Sequence, residues 1–91
     1  MPELLDFKAA TDLFKDSVQR ATGHQLSIAD LISCATRLDS SGQKQFVAEL
    51  YKTWIAHNSG DNLLHAAYFN FAVVLADLDV AARSGTSTEG A

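Results

Sequence analysis

The residues that could suggest a reactive or metal-binding site are the only cysteine, Cys34, the histidines His57 and His65 around Asp61, and the paired carboxylates Asp77 and Asp79. Zinc needs three or four converging N, S or O ligands. His57 and His65 bracket a turn with Asp61 between them, and Cys34 lies on another segment, so no recognised ligand spacing results. Helix-end histidines facing solvent are the simpler reading. Cys34 would act as a nucleophile only with a histidine beside it and a lowered pKa. Placed between Leu31 and Leu38 on an apolar stripe, it reads instead as a small buried hydrophobe. Asp77 and Asp79 read as solvated charges or as partners for a lysine of another chain, not as an acid/base pair. Ser, His and Asp occur without a Gly-x-Ser-x-Gly elbow, and no Gly-rich phosphate loop is present. The expectation is a protein without catalytic, cofactor or metal residues.

Composition narrows the class further. Hydrophobic residues make up 47% and charged residues 20% of 91 residues, which suits one small globular domain with its own core. A net charge of −4 with scattered Lys and Arg argues against nucleic acid as a partner. No apolar run is long enough to span a bilayer, and Met1-Pro2-Glu3 does not open a secretory leader. A single cysteine fits a reducing cytoplasm.

The elements that position these residues are helices. The only proline is Pro2, suited to a first turn, and the glycines fall at the joints. The first helix is expected over 2–22, with Leu4, Phe7, Ala10, Phe14, Val18 and Ala21 on one face, Leu5, Ala9 and Leu13 widening it, and a left-handed stop at Gly23. Ser27 with Asp30 forms a capping box for a second helix over 27–39, striped by Ile28, Leu31, Ile32, Ala35 and Leu38. Ser40 with Gln43 gives another such signal for a third helix over 41–57. Its expected buried positions are Phe46, Val47, Leu50, Tyr51, Trp54 and Ile55, with Lys44, Glu49 and Lys52 towards water. Tyr51 and Trp54 read as packing residues more readily than as the lining of a peptide groove. Asn58-Ser59-Gly60-Asp61 is turn chemistry, and Asp61 is expected to cap a fourth helix over 62–83. Residues 84–91 read as a flexible tail or the start of a linker. The fold class is therefore all-α, a small four-helix antiparallel bundle.

Helix four is expected to organise the rest. Leu63–Leu78 is apolar nearly all round, which marks a buried helix. Three preceding helices cover one side of it, and a bare second side would be an interface. Tyr68, Phe69, Asn70, Phe71, Val73 and Val74 are the candidate interface residues. Asn70 would either set interhelical register or hydrogen-bond a neighbouring helix's backbone.

The second half of the chain resembles a tetratricopeptide-repeat (TPR) unit. Gly42, Val47, Leu50-Tyr51 and Trp54 follow the pattern of the family's second helix, and Tyr68, Asn70-Phe71-Ala72, Leu75 and Leu78-Asp79, with Ala81-Ala82 beyond, follow that of the next repeat's first helix. The wording from Gly42 to Leu78 is similar to the helical lead-in of bacterial TPR-containing glycosyltransferases of the O-GlcNAc transferase type. That resemblance implies a non-catalytic helical segment, with catalysis in a distant domain. It also implies an incomplete stack, because helix four would lack its pairing helix. Three roles stay open: a homodimer joining two copies of helix four across a two-fold axis, a docking domain at the front of a larger TPR/glycosyltransferase-like protein, and a small adaptor binding a different protein in an apolar groove between helices one and four.

Overall fold

The computed structural model describes residues 6–90, with side chains described through residue 80. The architecture is all-α. Four helices, α1 (Phe7–Thr22), α2 (Ile28–Ser40), α3 (Lys44–His57) and α4 (Leu64–Gly90), form a bundle, with no strand among the described residues.

The helix ends follow local hydrogen-bond chemistry. Asp6 is the N-cap of α1: its backbone is extended and its carboxylate accepts the Ala9 N–H at 2.7 Å. The helix thus starts after Asp6, not at Pro2, and Pro2, Leu4 and Leu5 lie outside the described residues. Ser27 caps α2 as expected, accepting from the Asp30 N–H at 3.2 Å.

Helices α1 and α2 close in the same way. In α1, Gln25 N–H donates to Arg20 C=O at 2.8 Å and His24 N–H to Ala21 C=O at 3.2 Å. In α2, Gln43 N–H donates to Leu38 C=O and Gly42 N–H to Asp39 C=O, both at 3.0 Å. These paired bonds are a Schellman closure, which needs a left-handed residue one step past the cap. Gly42 supplies it in α2 at φ 80. In α1 the left-handed residue is His24 at φ 60, and not Gly23, whose φ is −89. The closure at Gly42 also moves the start of α3. Ser40 belongs to the last turn of α2, and Gln43 precedes α3 without a side-chain cap bond, so the expected Ser40–Gln43 capping box does not form.

Helix α3, not α4, holds the bundle together. It packs against α1, α2 and α4. Val47, Leu50, Tyr51 and Trp54 are all buried, and Trp54 is wholly so. Burying an indole of this size contributes about 4 kcal/mol of transfer free energy. Its Nε1–H donates to Leu26 C=O at 2.7 Å, which satisfies a buried donor and ties α3 to the segment before α2. On its other flank the Phe46 ring stacks on Phe14 of α1 at 4.5 Å and meets Phe7 at 6.0 Å. Phe7 nonetheless remains 67% exposed, so it edges the apolar stripe of α1 and is not inside it. Ala10, Ser17 and Ala21 line the fully buried side of α1. Ser17 Oγ is buried with no hydrogen-bond partner among the described residues.

Helix α4 lies on α3 and is its main packing partner. Over the described side chains only Ala67 is fully buried. The expectation that three helices together cover one side of α4 is corrected: α1 and α2 gather on α3, so that covered side of α4 rests mainly on α3 alone. The helix runs on through 84–90, the span read above as tail or linker, and no proline interrupts that stretch. No helix among the described residues is long and apolar enough to cross a membrane.

Candidate interaction surface

The joint between α3 and α4 is built around Asn58. Its Nδ2 donates to Trp54 C=O at 2.9 Å and to Ala21 C=O at 3.1 Å, so one amide satisfies carbonyls at the ends of both α3 and α1. Its Oδ1 lies 3.3 Å from Nδ1 of His24. Asp61 follows, its carboxylate accepting the Leu63 N–H at 2.8 Å. It therefore braces the turn leading into α4, two residues before the cap position of the helix itself, Leu63. His24, His57, Asn58 and Asp61 border a shallow open depression, and both His57 and His65 are exposed. Among the described residues no three His, Cys, Asp or Glu side chains converge as metal ligands would. Cys34 is half-buried and packs against the core.

The six residues expected at the interface divide between two faces of α4. Phe71 and Val74 are half-buried and pack against the core formed with α3. Tyr68 is 53%, Phe69 70% and Val73 45% exposed. Asn70 Nδ2 does not reach a neighbouring helix's backbone: it donates to Ala66 C=O at 2.8 Å, one turn back in its own helix. The carbonyl of the preceding turn is the nearest acceptor to a half-buried amide on a helix. Leu63, Leu75 and Val80 are further exposed apolar side chains on or beside α4. Sequence reasoning did not assign them to the interface, although the alternation of three- and four-residue steps that sorts this helix into faces is present in the sequence.

One groove runs beside this face. Its lining comes from Ala35, Thr36 and Asp39 of α2, Val47 and Tyr51 of α3, and Asn70, Val73, Val74 and Asp77 of α4, around a volume of about 170 Å³. It lies between α2, α3 and α4, not between α1 and α4. Lys44 stands near its acidic end, 2.6 Å from Asp39. The hydrogen bond to Asp39 holds the Lys44 ammonium above its usual pKa, with smaller help from the charges of Asp39 and Asp77. Burial pushes the Tyr51 phenol up as well. The site thus offers apolar contact and shape, with charge confined to one end.

No family model, curated protein or solved structure matches the chain.

Proposed function

We propose that this chain is a non-catalytic protein–protein interaction module that joins with a second copy of itself through α4. One observation carries the reading. Phe69, Val73 and Val80 expose large apolar surface along one face of α4, and an exposed apolar face of that kind marks an association site. A two-fold dimer covers it with the same surface of the second copy. The resemblance to the lead-in of TPR-containing glycosyltransferases supports the same role at the front of a larger protein, where the paired helices would bring two such proteins together. The lone Cys34 suits a reducing, cytoplasmic setting for that work.

The groove between α2, α3 and α4 favours one alternative, a small adaptor that takes a peptide or helix from a different protein. The two readings separate on solution mass. Light scattering behind size exclusion, across a dilution series, should give twice the 9.8 kDa of the chain. A single-chain mass at every concentration would overturn self-association and leave the adaptor.

A further inference from the structure

Helix α4 carries its apolar side chains in two seams. The inner one, Leu64, Ala67, Phe71, Val74 and Leu78, is buried or half-buried and faces α3. The outer one, Ala66, Phe69, Val73, Ala76 and Val80, repeats the same alternation of three- and four-residue steps. At 100° per residue it lies about 160° around the helix from the inner seam. Phe69, Val73 and Val80 on it are largely exposed, and Val73 is also a wall of the groove beside α2. An alternating three–four seam is the pattern by which one helix packs its side chains between those of another. Tyr68 and Leu75 fall on the flank outside it.

We infer that the outer seam of α4 pairs with the outer seam of a second copy in antiparallel orientation, with the two-fold axis crossing the contact at the level of residue 71, midway between Phe69 and Val73, and Phe69 of each chain packed on Val73 of the other. This rests on the reading of α4 as the association face and assigns its register. Charge selects the orientation. Asp77 and Asp79 both lie towards one end of the described side chains of α4, and His65 lies near the other. Parallel pairing would set Asp77 of each copy towards Asp79 of the other, one such pair on either flank of the seam, a like-charge arrangement that opposes association. Antiparallel pairing separates them and brings His65 of each copy alongside Asp79 of the other, whose two oxygens accept more than one donor. Size then selects the register. With the axis midway between Phe69 and Val73, the bulky Phe69–Val73 layers occur twice at the centre, and Ala66–Ala76 layers flank them on both sides. The small flanking layers let the backbones approach closely enough for the central rings to be enclosed.

The test uses the full chain with Cys34→Ala, carrying either Ala66→Cys or Ala76→Cys, so that Phe69 and Val73 remain intact. Each variant is first measured by light scattering and circular dichroism; the two are then mixed and oxidised, and the disulfides are read by intact mass. The antiparallel register predicts the mixed 66–76 disulfide as the main product and little of either homodisulfide. Homodisulfides at 66–66 and 76–76 would overturn the orientation while leaving self-association through α4 standing. A dimer with none of these disulfides would overturn the seam as the contact. Monomers at every concentration would overturn the pairing and the proposed function together. Tyr68→Ala and Leu75→Ala, on the flank, should leave the dimer's dissociation constant within about threefold; a loss of about 100-fold would place the contact outside the seam.

Discussion

Helices α3 and α4 pack on each other and follow one another in the chain, yet they stand in opposite relations to solvent. Helix α3 carries Lys44, Glu49 and Lys52 in 14 residues and still buries Val47, Leu50, Tyr51 and Trp54. Helix α4 is the more apolar segment but leaves Tyr68, Phe69, Val73, Leu75 and Val80 exposed. Apolar content measures how much surface a helix would gain by being covered. It does not say how many neighbours the fold provides. Helix α3 has three neighbours, whereas α4 leans mainly on α3. The difference separates two jobs: the apolar residues of α3 hold the monomer, and the outer ones of α4 are available for a second molecule.

The comparison can be broken or sharpened by substitution. The largest effect should come from Trp54→Ala, which removes the centre of α3 and leaves Leu26 C=O without its donor. A loss of about 3–5 kcal/mol is expected, enough to unfold much of so small a domain, as read by urea titration. If Trp54→Ala kept a wild-type midpoint, α3 would not be the organising helix.

Phe69→Asp should behave in the opposite way. The side chain is 70% exposed, so the helical content of the monomer should survive while the dimer's dissociation constant rises about 100-fold or more. Phe71→Asp, two residues along and packed on the core, should instead damage the fold. Equal effects of the two substitutions on circular dichroism would erase the distinction between the faces of α4.

Ser17→Ala sharpens the account of the core at smaller scale. It removes a buried hydroxyl that has no partner among the described residues and leaves a better helix former. The urea midpoint should rise, by about 1 kcal/mol of stability. A fall would mean that the hydroxyl is hydrogen-bonded in solution.

The smallest effect is alkaline. Tyr51 and Lys44 both have folded-state pKa values above their ordinary ones, Tyr51 through burial and Lys44 first through its hydrogen bond to Asp39. Above a pH of about 10 the folded chain therefore holds more protons than the unfolded chain, and stability falls as pH rises. The contribution is complete below that range and is lost on passing through the raised values. Tyr51→Phe should flatten the fall, measured as melting temperature against pH. An unchanged slope would exclude burial of the phenol as its source.

Much of this was legible in the chain. Ser27 announced α2, Asn58-Ser59-Gly60-Asp61 announced the turn before α4, and the stripe through Ala10, Phe14, Val18 and Ala21 marked the inner side of α1. Caps and periodicity are set by residues within a turn or two of one another, so they can be read locally. The left-handed position of α1 was misplaced by one residue because His24 adopts a conformation that glycine usually supplies. For the proposed site, sequence reading found the apolar helix and six of its residues, but it did not separate Phe71 and Val74 from Phe69 and Val73.

What the sequence by itself determined is that this protein is all-α, where its helices turn, and that α4 has more apolar surface than an amphipathic helix needs. Only the tertiary structure decided that α3 is central, that Trp54 reaches Leu26, that Ser17 is enclosed, and which side of α4 stays outside. Those outcomes depend on how helices far apart in the chain cross and fill space together, and close packing across such distances leaves no mark on the spacing within any one helix.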